Sequence, residues 1–190
     1  AAAFGGFNYM EFLQNDMVVV NPLKVKRWIV DELEASMLLY FTGRSRSSAA
    51  IIDEQKKNTV EGNIDAIEAM HRIKQSAVDM KLAVLKGDMV SFANILGKAW
   101  EDKKKMAGAI SNPMIQEAFN VAAAAGAKAG KVSGAGGGGF IMFFVEPTRK
   151  KEVINALSKL NGFVMPFNFT EGGAHGWKIY PTDKVSTLSR

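Results

Sequence analysis

Apolar positions recur along this chain at two different spacings, and the spacing sorts the chain into strands and helices. Near the start, "GFNYMEFL" and "MVVVNPLKV" are short β-rich runs with "QND" between them, which predicts a hairpin. Trp28, Ile29, Leu33 and Met37 then fall at helical intervals, and "MLLYFTG" reads as a short strand ended by Gly43. A long helical region follows, with Val60, Ile64, Ile67, Met70, Ile73, Ala77, Met80 and Val84 on one stripe. Gly87 predicts its C-terminal cap. Asp88 predicts the start of a next helix that buries Met89, Phe92, Ile95, Leu96 and Ala99. "SNP" at 111–113 opens another helix, running through Ile115, Ala118, Phe119 and Ala122 to Gly126. "FIMFFVE" is a continuous apolar run of the buried-strand kind, and "TRKKEVINALSKLNG" is amphipathic with Val153, Ile154, Leu157 and Leu160 inward. "FVMPFNF" and "GWKIYP" predict closing strands, Pro166 putting the first at an edge or a bulge. The whole reads as an α+β fold: a mainly antiparallel sheet with helices packed on one side.

One stretch breaks both periods. In "KVSGAGGGGF", residues 131–140, Gly134, Gly136, Gly137, Gly138 and Gly139 sit with Ala135 in one uninterrupted block. Each Gly weakens regular structure by roughly 0.5–1 kcal/mol relative to Ala. A tight reversal accounts for one or two of them. So many point to another backbone or a ligand lying where any side chain would clash. The order is read as helix, glycines, strand, whereas dinucleotide and P-loop phosphate sites run strand, glycines, helix. Gly134, Gly136 and Gly139 satisfy G-x-G-x-x-G, but in this order they are not a dinucleotide fingerprint, and no GKS or GKT follows.

Composition narrows the picture further. Hydrophobic residues at 47% and charged residues at 23% are ordinary for a globular chain. The net charge of +5 favours an anionic partner. The Lys and Arg are scattered rather than striped among aromatics, which argues against nucleic acid. The dense run "EDKKKM" reads as a solvated helix face. The chain has no cysteine, so disulfides and thiolate chemistry are excluded. No apolar run approaches the roughly 18 residues of a spanning helix, and a cytoplasmic location is the expectation. No His and carboxylate set has metal-ligand spacing, so no protein-held metal is expected. His71 reads as a boundary or core residue of its helix, and His175, in "GGAHGW", belongs to no motif.

"KVSGAGGGGFIMFF" resembles the third motif of the GHMP kinases, in which a Lys-x-Ser/Thr-Gly-Ala-Gly-x-Gly-Gly loop leads into a strand of the C-terminal domain. "AAAFGGFNYMEF", "LLYFTGRSRSSAAII" and "ISNPMIQEAF" are similar to the branch of that family acting on D-glycero-D-manno-heptose 7-phosphate, with fucokinase-like proteins as near relatives. The resemblance implies a ferredoxin-like C-terminal, substrate-side domain over residues 1–190. It implies a parent enzyme that transfers the γ-phosphoryl of ATP to the anomeric hydroxyl of the sugar phosphate. It also implies that the ATP-binding N-terminal domain and the catalytic Asp precede Ala1, which leaves no catalytic residue here and ATP and Mg²⁺ bound mainly by the other half. The isolated chain is then expected to be inactive. "GRSRSSAA" is not that ATP loop, since it lacks Gly-Leu-Gly and sits where the family has its Thr-Gly-x-x-Arg segment.

Site expectations follow from the resemblance and from the chemistry. Lys131, Ser133, Gly134, Ala135, Gly136, Gly137 and Gly138 are expected to pack by the ATP phosphates. Arg46, then Arg44, are the candidates for the sugar's own phosphate, since a guanidinium matches phosphate as a bidentate fork and both follow a strand end at Thr42. Gly5 and Gly6 match the segment just after the family's catalytic Asp. The implied partners are the sugar phosphate, ATP and the N-terminal half, with room for a homodimer and no nucleic acid or membrane. The competing reading is a non-catalytic α+β module that binds an anion or a partner protein.

Overall fold

The computed structural model describes residues 3–43 and 48–177. They form two compact units: residues 24–169, and a smaller one made from the stretches before and after them.

In the larger unit, α1 (Arg27–Ser36) runs directly into β3 (Met37–Phe41). Four helices follow: α2 (Ser48–Val60), α3 (Ile64–Lys86), α4 (Met89–Met106) and α5 (Pro113–Ala125). β4 (Ala127–Val132), β5 (Phe140–Val145), α6 (Lys150–Leu157) and β6 (Phe163–Met165) complete it. The sheet order is β4-β5-β3-β6, every described pairing antiparallel. This is the split β-α-β arrangement of a ferredoxin-like sheet, with α2 to α5 filling the first crossover and α6 the second. Pro166 lies just past β6, an edge strand, as the missing N–H requires.

Side-chain alternation splits the sheet into two faces. Leu38 and Tyr40 of β3, Val132 of β4, and Ile141, Phe143 and Val145 of β5 share one buried cluster. Ile115, Ala118 and Ala122 of α5 and Val153 and Leu157 of α6 close over it. α4 reaches both faces. Its Trp100 joins that cluster and stacks on Phe119 at 5.3 Å, whereas its Phe92 meets Phe144 at 5.5 Å on the other side.

Helix boundaries follow local chemistry. Asn63 caps α3 by accepting from Ala66 N, Asp88 caps α4 by accepting from Ser91 N, and Asn112 caps α5 by accepting from Ile115 N. Gly87 and Gly126 end α3 and α5 in the left-handed conformation. Buried Asp102 of α4 accepts from Arg72 of α3 at 2.8 Å, tying the two longest helices together.

Three sequence expectations change. The long helical stripe is two helices, parted at Gly62, and Val60 (86% exposed) and Ile64 (71%) face solvent. α3 buries Ala66, Ala69, Ala83 and Val84, of which only Val84 belongs to the expected stripe. Trp28 is exposed, while Ile29, Leu33 and Ser36 hold the inner side of α1. The glycines do not follow a helix directly, because "AKAGKV" forms β4, so the order is strand, glycines, strand.

In the smaller unit, β1 (Asn8–Phe12) and β2 (Val18–Pro22) form the expected hairpin. The predicted strand "GWKIYP" lies largely outside the described residues, and residues 176 and 177 are not strand.

Candidate functional site

The β4–β5 hairpin turns through residues 133–139, and the turn needs its glycines for two separate reasons. Gly134, Gly136, Gly137 and Gly139 have φ of 76°, 117°, 75° and 82°, the region L side chains avoid. Gly136 also lies against a neighbouring backbone: a Cβ there would come within 2.9 Å of Ile110 O and 3.0 Å of its Cα. Gly134 and Gly139 face open space, with no atom within 4 Å of an added Cβ. The loop is thus packed underneath by its own chain and bare on another side.

Its underside is fastened at several points. Gly137 N donates to Ile110 O at 2.8 Å, and Asn112 Nδ2 donates to Gly137 O at 3.0 Å. Ile110 ends a 3-10 turn, Gly108–Ile110, whose first N–H groups donate to Glu54 of α2. At the far end, Thr42 N and Oγ1 both donate to Gly139 O at 3.0 Å. Antiparallel pairing of Phe41 with Phe140 brings the end of β3 beside the glycines. The sheet therefore joins two segments remote in sequence, the Thr42–Gly43 strand end and the glycine hairpin.

Lys131 is the penultimate residue of β4, and burial lowers its ammonium pKa. Facing the loop from α4 is Lys103, whose Nζ donates to Gly134 O. Burial first, and then the like charge of Lys131, push Lys103 down to about 8. Among the described residues neither lysine has an acidic partner. Asp102 is taken by Arg72 and Lys105, Glu101 by Lys104, and Glu54 by the 3-10 turn. Two underpartnered cations beside a bare glycine backbone can take an anion with several oxygens.

The remaining candidates fall as follows. Ser133 is exposed and its N–H closes the hairpin on Phe140 O at 2.8 Å; Ala135 packs partly against the main cluster; Gly138 is buried. Thr42 is 2% exposed and its hydroxyl faces Gly139, so it positions the loop. Arg44 and Arg46 lie outside the described residues. Gly5 and Gly6 belong to the smaller unit, where Gly5 crosses residues 171–173 so closely that a Cβ would meet Gly172 C at 2.4 Å. His71 is exposed on α3, not at a boundary or in the core, and His175 is exposed as well. No group of three or more His, Asp or Glu among the described residues could hold a metal ion, and no described helix is long and apolar enough to cross a membrane.

Lys103 lies in "EDKKKM", which reads in sequence as a solvated face, yet its ammonium turns to the glycine loop. The signal was there: Leu96, Trp100 and Lys103 share one helical stripe, and the first two are buried.

Residues 80–161, which span α4, α5 and the glycine hairpin, match the family model described as GHMP kinases C terminal. The chain carries a GHMP kinase C-terminal domain. It is 48% identical over 94% of its length to the D-glycero-alpha-D-manno-heptose 7-phosphate kinase of Campylobacter jejuni, covering 52% of that protein. A solved D-glycero-D-manno-heptose 1-phosphate kinase from Bacteroides thetaiotaomicron superposes with a TM-score of 0.69 at 62% identity, over 95% of this chain and 47% of that one. Mevalonate kinase of L. major, at 16% identity and TM-score 0.68 over 90% of this chain and 51% of that one, shares the fold. The chain thus spans about half the length of the relatives it matches. The GHMP domain accounts for the glycine hairpin, in agreement with the motif resemblance.

Proposed function

We propose that this chain is the substrate-side, C-terminal half of an ATP-dependent sugar-phosphate kinase that phosphorylates the anomeric hydroxyl of D-glycero-D-manno-heptose 7-phosphate. The observation that carries the reading is the meeting of the Thr42–Gly43 strand end with the open glycine hairpin, in a chain closely similar to heptose phosphate kinases. A 7-phosphate is favoured over a 1-phosphate on chemical grounds: transfer to the anomeric oxygen requires that oxygen to be free.

Phosphoryl transfer depends on positioning and positive charge more than on covalent chemistry by the protein. On this reading, Lys131, Ser133 and residues 134–138 lie by the phosphates of ATP. Arg46 and Arg44 hold the sugar's phosphate, with Thr42 fixing the strand end from which they follow, and Gly5 and Gly6 adjoin the substrate. The catalytic carboxylate and the ATP-binding loop belong to an N-terminal half, Mg²⁺ arrives with ATP, and the enzyme works in the cytoplasm, with a homodimer compatible. This chain alone then turns over nothing.

The test is ADP release by the full-length protein with heptose 7-phosphate, heptose 1-phosphate and fucose. Turnover of heptose 7-phosphate supports the assignment. Turnover of fucose without heptose 7-phosphate moves the protein to the fucokinase-like reading. Stoichiometric anion binding with no ATP dependence and no ADP release makes it a non-catalytic module.

A further inference from the structure

Lys103 of α4 donates to the Gly134 carbonyl, and Lys131 of β4, two residues before the glycine loop begins, sets a second positive charge near enough to act on it. Neither ion-pairs among the described residues, although acids are available on α4 itself: Glu101 and Asp102 each turn to another cation. Among the described residues Lys103 Nζ donates to a backbone carbonyl, that of Gly134, and to no acid. The glycine carrying that carbonyl is open on the side where a Cβ would point. Two like charges drawn out of water beside one another are unfavourable unless something negative joins them.

We propose that Lys103 and Lys131 form a two-cation clamp for a phosphate group of the ligand, Lys103 exchanging the Gly134 carbonyl for a phosphate oxygen when the ligand enters. The proposal rests on the kinase reading above and deepens it by adding to the glycine motif a residue that lies outside it. In the free protein, the Gly134 carbonyl holds the Lys103 ammonium beside the hairpin. With ligand bound, the phosphate supplies the charge that the two lysines lack, and Lys103 is fully protonated. Polyphosphate fits better than a carboxylate because the open face of Gly134 and Gly139 leaves room for a tetrahedral, multi-oxygen anion against the backbone.

The experiment is calorimetric titration of the full-length protein with inorganic tripolyphosphate. The panel is wild type, Lys103→Met, Lys103→Arg and Lys98→Met, Lys98 being an exposed lysine on the same helix. Loss of one charge-assisted contact weakens binding about tenfold or more in Lys103→Met. Lys103→Arg keeps the charge and donor and restores most of the affinity, and Lys98→Met matches wild type. Paired titrations near pH 8 in two buffers of different ionisation heat show proton uptake in wild type and its loss in Lys103→Met, which a purely structural lysine would not produce. Affinity of Lys103→Met within about twofold of wild type, or proton uptake unchanged, overturns the clamp. So does a folded Lys103→Arg that fails to restore binding. A wild type that releases ADP with a heptose phosphate but binds no tripolyphosphate overturns the clamp and leaves the kinase reading standing. A wild type that does neither overturns both.

Discussion

Gly134 and Gly136 lie two residues apart in one loop and should answer to substitution in opposite ways. Both have φ in the left-handed half, at 76° and 117°, so an alanine at either costs about 1–2 kcal/mol of backbone strain. Only Gly136 adds a steric term. Its Cβ would meet Ile110 O at 2.9 Å, and this is backbone that cannot swing aside, since Gly137 N donates to the same oxygen. Overpacking of this kind adds about 1–3 kcal/mol. Gly136→Ala is therefore expected to destabilise by roughly 2–5 kcal/mol and Gly134→Ala by roughly 1–2. At about 2–4 °C per kcal/mol for a chain of this size, a 3 kcal/mol loss lowers the melting temperature by about 6–12 °C. Urea denaturation of the two variants beside wild type measures the difference, provided the slope with urea is unchanged. For ligand binding the order reverses. A valine at Gly134 projects into open space beside the Lys103 contact, so it should weaken ATP binding by the full-length protein far more than its stability loss implies. Equal stability of the two alanine variants would refute the argument that Ile110 sets the steric limit.

Three further outcomes follow. Lys103 has its pKa pushed down to about 8 in the folded chain against 10.5 for an ordinary lysine, so the unfolded state binds more protons between those values. Its contribution to stability should therefore rise with pH across that window, seen as a urea midpoint that climbs from pH 8 to 10 more steeply in wild type than in Lys103→Met. Burial alone would raise the Asp102 pKa, but hydrogen bonds from Arg72 and Lys105 win and hold it below the usual carboxylate value. Stability from this bridge should be lost as acid protonates Asp102, and Asp102→Asn should cost about 1–3 kcal/mol, with a double-mutant cycle to Arg72→Ala showing non-additivity. Asn112→Ala removes both the α5 cap and the bond to Gly137 O, so it should cost about 1–2 kcal/mol in thermal melts and also loosen the hairpin, read as faster amide exchange at Gly137.

The four-stranded sheet was legible where apolar residues were dense and glycine or proline punctuated them. "MLLYFTG" and "FIMFFVE" became the two central strands, because central strands bury both faces and read as unbroken apolar runs. β4 was not legible. Its Lys128 and Lys131 interrupt the pattern, and Gly130 weakens any strand propensity. Yet Gly130 is there because the Phe143 and Phe119 rings crowd it, with Phe143 Cδ1 within 2.6 Å of an added Cβ. A glycine required by a neighbour's ring looks in sequence like a break. The break between α2 and α3 was hidden for the opposite reason: Val60 and Ile64 continue a helical spacing across Gly62 while both are exposed. At the site, the glycine block announced itself, and Asn112 was found as a cap. That Asn112 also holds Gly137, and that Glu54 supports the turn beneath, depends on contacts between remote segments, which spacing along one element does not encode.

The close crossing of Gly5 with residues 171–173 bears on the order in which the chain folds. Ala174 N donates to Ala3 O, Gly6 N donates to Thr170 O, and a Cβ on Gly173 would meet Ala3 O at 2.3 Å, so both termini of the described chain are laced together main chain to main chain. Such pairing has very high sequence separation and little apolar reward, and the entropy of closing so long a loop opposes it in an open chain. The larger unit removes most of that obstacle once formed: Phe169 N donates to Glu34 Oε1 on α1, bringing the outgoing end back to the first helix. The lacing is thus a late event, templated by a core that has already condensed, and residues 3–6 and 170–174 should be the last backbone of this domain to gain hydrogen-exchange protection during refolding and the first to lose it.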